Sequence, residues 1–318
     1  MLAYRVLSSG TQAELVETEA LQPGPNQVRV SIRACGLNFA DLLMQKGTYQ
    51  DTPSAPFTLG MEIAGVIETV GRDVTDLTSG DRVAVFSGHG GLAETGTFDV
   101  DRVIRLPDDI SFEDAAAIQI AYGTSHIALG HRARLQAGET LLVTGAAGGV
   151  GLTAVEIGKL MGAKVVAQAR GADKLAVAQA AGADHLIDAS EDLRDRMTAL
   201  GGADVVYDAI GGDVFKAAFR ATNPEGRVLP IGFAGGEIPQ VPANHLLVKN
   251  LTVIGVYIGG YLKFRPEIVR NSFETLFAWC VEGRIKPHIS HVLPLSDVAE
   301  RLRLLKERES TGKFVRHP

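Results

Sequence analysis

The chemistry of this chain is most legible in Leu141-Leu142-Val143-Thr144-Gly145-Ala146-Ala147-Gly148-Gly149-Val150-Gly151. An apolar run turns through glycines and opens into a helix over 149–160. Only small residues let a backbone approach a pyrophosphate closely, and a helix start offers it unpaired N–H groups and the positive end of a dipole. The fingerprint is Ala146-x-Gly148-x-x-Gly151, with Ala where Gly is commonest. A strand before it, a helix after it and a second strand over 164–169 supply the context a dinucleotide turn requires.

The second strand, Lys164-Val165-Val166-Ala167-Gln168-Ala169, ends at Arg170. A site that prefers NAD places Asp or Glu there for the ribose 2′-hydroxyl. Positions 168–170 hold no acid; Arg170 stands at the strand end and Lys174 at the next helix start. A guanidinium and an ammonium at that corner would neutralise a 2′-phosphate, so the pattern favours NADPH. Asp173 lies beside them and works against this reading.

Around this motif the chain has the bulk of an ordinary globular protein. Its 318 residues suffice for two domains, with 46% hydrophobic and 21% charged residues. The net charge of −6 argues against a nucleic-acid partner, which would select a basic face. The two cysteines, Cys35 and Cys280, make neither a disulfide framework nor a C-x-x-C pair, so a cytoplasmic protein is expected. Residues 251–262 are the most apolar late stretch, shorter than the ~20 residues a bilayer span needs. No membrane anchor is expected.

The first third reads as short strands punctuated by Pro and Gly. Val28, Val30, Ile32 and Ala34 alternate with polar neighbours, 61–70 is β-rich, and Gly80 turns into a strand over 82–86. Beyond an Ala-rich helical stretch at 115–130 the rhythm becomes strand, helix, strand. Strands fall at 140–144, 164–169, 184–187, 203–208, 227–231 and 251–256, with helices between them. That alternation predicts right-handed crossovers and a doubly wound parallel sheet. Helices at 265–281 and 295–306 and a last strand at 312–315 follow. The tail reads like the first third, so the expected fold is α/β, with a Rossmann domain over 118–257 inserted in a β domain formed by 1–117 and 258–318.

Taken together, the pieces resemble a known family. They are Cys35-Gly36-Leu37-Asn38-Phe39-Ala40-Asp41, Gly60-Met61-Glu62-Ile63-Ala64-Gly65, the 146–151 turn, Tyr207-Asp208-x-x-Gly211-Gly212, Ile231-Gly232-Phe233, Leu246-Leu247-Val248-Lys249-Asn250 and Gly312-Lys313. In this order the chain is similar, nearly end to end, to the zinc-independent quinone oxidoreductases of the medium-chain dehydrogenase/reductase superfamily, the group of zeta-crystallin and VAT-1-like proteins. The resemblance implies a GroES-like β-barrel catalytic domain around the Rossmann domain, an active site in the cleft between them, and a homodimer. It implies cofactor contacts from Tyr49, Thr124, Ala147, Gly148, Gly149, Val150, Gly151, Arg170, Lys174, Gly232 and Phe233, with Val256, Tyr257 and Ile258 passing the nicotinamide. Asn38 and Tyr49 are the candidate catalytic residues.

Zinc-using relatives carry Cys and His where this chain has Asn38 and Met61. Amide and thioether are poor ligands for zinc, so no metal is expected. Without a Lewis acid the chemistry shifts from alcohol oxidation to reduction of quinones, enones and enals by NADPH. As charge develops on the acceptor oxygen, the Asn38 amide and the Tyr49 hydroxyl can donate to it, and the proton can come from Tyr49 or from water. Asn38 can equally be the N-cap of a helix beginning at Phe39. Asp41 is expected to be structural, Glu62 a buried hydrogen-bonded carboxylate, and Cys35 a small core residue. Two other functions remain compatible: an enoyl- or acryloyl-CoA reductase, with Lys263 and Arg265 facing the CoA phosphates, and a non-catalytic NADPH-binding partner protein.

Overall fold

Alternation in the first third becomes a strand, Gln27–Gly36, that buries Val28, Val30, Ile32 and Ala34. It sits inside a seven-stranded sheet ordered Ile289–Leu293, Lys313–Arg316, Gln27–Gly36, Glu62–Val70, Arg82–Phe86, Val103–Arg105, with Thr95–Asp99 also pairing on Gln27–Gly36. Pairing is antiparallel throughout except between Ile289–Leu293 and Lys313–Arg316. The last strand therefore returns to the first: Val315 faces Gly36 and Arg316 faces Cys35. A small sheet of Glu14–Glu17, Leu2–Val6 and Phe57–Thr58 lies in the same unit.

The middle of the chain forms a six-stranded parallel sheet. Its order is His185–Asp188, Lys164–Ala169, Thr140–Thr144, Ala203–Asp208, Thr222–Pro230, Thr252–Val253. The order reverses direction at Thr140–Thr144, so loops on its two sides diverge and leave a crevice at the carboxyl ends. Leu141, Leu142, Val143, Val165, Val166, Val205, Val206, Val228 and Leu229 are fully buried, as strands covered on both faces require. On one face Phe215 and Phe219, from the helix Gly212–Ala221, stack at 5.8 Å over Leu142, Val206 and Val228.

The computed structural model describes residues 1–317 and comprises two units, Met1–Ile120 with Phe273 onward, and Ala121–Ser272. The first division falls after Ile120 because the helix Phe112–Ile118 packs on Gln27–Gly36 and Glu62–Val70. The sequence reading returns the chain to the β unit at 258; in the structure 258–272 stays with the parallel sheet. Ile258 and Tyr261 are buried there, the Tyr261 ring edge-on to His131 at 5.8 Å. The strand expected over 251–256 is only Thr252–Val253, and a helix, Ile258–Phe264, follows it. Gly259 and Gly260 hide that helix from propensity, yet a Cβ on Gly259 would lie 2.7 Å from the Tyr257 hydroxyl. Among the described residues no helix is long and apolar enough to cross a membrane.

One buried ion pair ties the C-terminal strand to the first sheet strands. The Lys313 ammonium donates to Glu62 Oε1 at 2.5 Å, Asn38 Oδ1 at 2.8 Å and the Leu37 carbonyl at 3.0 Å. Glu62 Oε1 also accepts from Asn38 Nδ2 at 2.8 Å, and Oε2 from the Ile120 N–H at 2.7 Å. The side chains are 4% and 0% exposed, so water cannot substitute for a lost partner. Removing one partner of such a pair costs about 3–5 kcal/mol, because the other charge stays buried and unpaired. Lys313→Met is therefore expected to destabilise the protein by that amount in urea unfolding. Adding Glu62→Gln should recover much of the loss; a single-variant loss below about 1 kcal/mol, the range of exposed pairs, would contradict the clamp.

Candidate active site

The glycine turn is built at the carboxyl end of Thr140–Thr144. Gly145 takes φ 64, open to glycine at little cost. Gly151 is required by close approach: a Cβ there would sit 2.2 Å from the Gly145 carbonyl oxygen. The helix Gly149–Leu160 opens on Gly148 with no side-chain cap, and its first bond to that cap is Leu152 N–H to Gly148 O at 2.8 Å. The N–H groups of 149–151 precede that bond, which is the arrangement that receives a pyrophosphate. These residues fit a dinucleotide.

Neighbouring loops gather on this turn. Buried Asp208 accepts from the Thr144 hydroxyl and from the Gly211 N–H at 2.9 Å, pinning the loop after Ala203–Asp208. Burial pushes its carboxyl up, against the lowering pull of these bonds. Gly232 N–H donates to the Asp208 carbonyl at 3.4 Å, Ala234 N–H to Ala209 at 3.1 Å, and Phe233 lies against Gly211. From the other side, Ser125 donates to the Val150 carbonyl at 3.1 Å, which sets the helix bearing Thr124 beside the turn. Ala146 N–H donates to the Gln168 carbonyl at 3.0 Å, and Gly145 N–H reaches Gln168 Oε1 at 3.4 Å.

Thr124, the 147–151 turn, Arg170, Gly232 and Phe233 thus lie on loops or helices connected at the carboxyl ends of one sheet. Arg170 is exposed at the end of Lys164–Ala169, and Lys174 is half-buried in the first turn of Ala172–Ala180. Val256, Tyr257 and Ile258 lie apart: they leave the edge strand Thr252–Val253, three strands from Thr140–Thr144.

Asn38 and Tyr49 belong to the β unit. Asn38 stands at the N-cap position of Phe39–Gln45, in a capping box with Asp41. Nδ2 donates to Glu62 and to the Gly36 carbonyl at 3.3 Å, and Oδ1 accepts from Lys313. Both amide hydrogens are spent within the unit, so the donation expected from Asn38 to an acceptor oxygen has no hydrogen to use in this arrangement. On the helix side, Asp41 accepts from the Asn38 N–H at 2.8 Å and from the Gly60 N–H at 3.1 Å. Burial pushes its carboxyl up to about 6 despite those two bonds and the nearby Lys313 charge. Cys35 is fully buried and its thiol pushed well up, a core residue rather than a nucleophile. Tyr49 is half-buried in the turn after the helix, its carbonyl accepting from Thr52.

The donor set here does not fit zinc. The Asn38 oxygen and the Glu62 carboxylate already hold an ammonium, and Met61 offers only a buried thioether. The spacing of Asn38, Met61 and Glu62 is visible in the sequence, but the ammonium comes from residue 313. Its local signal is a lysine opening the final strand ahead of the apolar pair Phe314-Val315.

Comparison with known proteins places the chain. Residues 24–108 match the alcohol dehydrogenase GroES-like domain, and 149–281 match the family described as zinc-binding dehydrogenase. The chain is 42% identical over 299 residues to a quinone oxidoreductase-like protein 2 homolog of Nematostella vectensis, covering 92% of this chain and 82% of that one. It is 34% identical over 315 residues to the human synaptic vesicle membrane protein VAT-1 homolog, covering 93% and 80%. Among solved structures, the Escherichia coli quinone oxidoreductase complexed with NADPH superposes with a TM-score of 0.92 at 29% identity, over 100% of both chains. Carried by the pinned glycine turn, the returning C-terminal strand and these likenesses, the conclusion is that the chain belongs to the quinone oxidoreductase family of the medium-chain dehydrogenase/reductase superfamily.

Proposed function

We propose that this protein is an NADPH-dependent oxidoreductase that reduces quinones or activated alkenes, enones and enals, without a metal. The observation that carries this reading is the uncapped helix start behind Gly148, followed by a strand that ends in Arg170 rather than in an acid. Relatives solved with NADPH support it. NADPH, when bound, supplies the hydride. The chain's own residues do the rest: the N–H groups of 149–151 hold the diphosphate, and Arg170 and Lys174 face the 2′-phosphate. Thr124, Gly232, Phe233 and the 256–258 segment shape the nicotinamide end. Asn38 keeps the Glu62–Lys313 pair in register, and the Tyr49 hydroxyl or water donates to the acceptor oxygen.

The protein is also read as a homodimer. The edge strand Thr252–Val253 is paired on one side only, by Thr222–Pro230. Beside it in sequence, the helix Ala243–Lys249 exposes Leu247 at 77% and Val248 at 71%. An open edge next to aliphatic side chains in water matches a second copy of the same edge across a two-fold axis.

Purified protein should oxidise NADPH with a simple quinone or enone, and Arg170→Ala with Lys174→Ala should weaken NADPH binding about tenfold or more, with little effect on NADH. Equal use of both coenzymes by the parent and the variant would refute the 2′-phosphate assignment. A parent that binds NADPH but turns over no quinone, enone or crotonyl-CoA would favour the non-catalytic partner. Leu247→Asp with Val248→Asp should shift the protein from dimer to monomer in sedimentation velocity; an unchanged coefficient would place the interface elsewhere.

A further inference from the structure

The corner that receives the ribose end contains an acid that the spacing rule overlooks. Asp188 ends the neighbouring strand, His185–Asp188, and its register partner is Ala169. Its Oδ2 accepts from the Gly171 N–H at 2.7 Å. Its Oδ1 accepts from the Ser190 N–H at 2.9 Å and the Ser190 hydroxyl at 2.6 Å. Gly171 is the residue after Arg170 and the N-cap of Ala172–Ala180, with φ 81. The carboxylate therefore touches the backbone that carries both proposed phosphate-binding cations. These bonds hold the Asp188 carboxyl below the usual range, so it is charged at neutral pH.

Charge and geometry act together here. The segment 170–174 carries two cations, Arg170 and Lys174, and one carboxylate, Asp173, and Asp188 brings a second carboxylate to its backbone at Gly171. The Gly171 N–H, a donor that a 2′-phosphate would otherwise find at this helix start, is already spent on Asp188. A phosphate gains from the cations but meets a fixed anion. A bare 2′-hydroxyl can donate to a carboxylate, the acceptor type that NAD-binding sites place near it.

We propose that Asp188 is a coenzyme-specificity residue, which anchors the turn at Gly171 and offsets Arg170 and Lys174 so that this site takes NADH as well as NADPH. The inference rests on the reading that 170–174 face the ribose end. It is tested by calorimetric titration of the full-length protein with each reduced coenzyme in the absence of acceptor. The parent should prefer NADPH by less than about tenfold. Asp188→Asn keeps an acceptor oxygen for Gly171 and loses the charge. It should tighten NADPH about three- to tenfold, move NADH less than about twofold, and lose most of that gain at high salt. Asp188→Ser repeats the measurement should the Asn variant fail to fold. An unchanged NADPH-to-NADH ratio in these variants overturns the proposal. If Arg170→Ala with Lys174→Ala still lowers NADPH affinity, the corner assignment survives that failure; if the cation variant is silent too, both fall.

Discussion

A carboxylate and an ammonium buried together set the terms for the β unit. Taking either ion out of water costs several kcal/mol, and their attraction offsets this only if every remaining donor and acceptor finds a partner. Lys313 has three hydrogens and uses three acceptors: Glu62, Asn38 and the Leu37 carbonyl. Glu62 spreads its acceptance over Lys313, Asn38 and the Ile120 N–H. Because lysine only donates and a carboxylate only accepts, the orientation of the Asn38 amide follows without ambiguity. The same demand fixes Gly36, where a Cβ would sit 2.4 Å from Glu62 Oε1. It also explains why residue 313 must come back to strands that began the chain.

The parallel-sheet unit solves a related problem with backbone rather than with charge. A pyrophosphate site needs N–H groups aimed outward and held there before the ligand arrives, since ordering a loop on binding subtracts from affinity. Gly151 lets the helix start approach the Gly145 carbonyl. Gln168 receives Gly145 and Ala146 on one side, while Asp208 receives Thr144, Gly211 and, through its carbonyl, Gly232 on the other. The turn is thus pinned from both adjacent strands.

What the sequence made legible follows from this division. The alternating strand Gln27–Gly36, the parallel strands and the 146–151 turn depend on local period and glycine placement, and each is readable within about ten residues. The buried nature of Glu62 and Cys35 and the structural role of Asp41 were also readable, because each sits in an apolar strand or a helix start. The amide of Asn38 was not, since its partner lies 275 residues away. Asp188 escaped for a similar reason. The spacing rule looks for an acid at the end of its own strand, whereas this one arrives from the strand alongside. Helix Ile258–Phe264 was missed because two glycines argue against a helix until Tyr257 is seen to cover them.

The ammonium at residue 313 also bears on which acceptors the proposed reaction can take. A zinc ion stabilises an alkoxide because it brings net positive charge to the reacting oxygen. Lys313 brings none that is available: its charge is matched by Glu62 and its three hydrogens are spent. Under the proposed reading, an acceptor must carry its own electron deficiency and take its hydrogen bond from a group other than this pair or from water. Quinones and conjugated carbonyls, the acceptors proposed above, meet that condition. In the proposed reaction the same clamp that holds the C-terminal strand in place thus contributes no net charge to an acceptor.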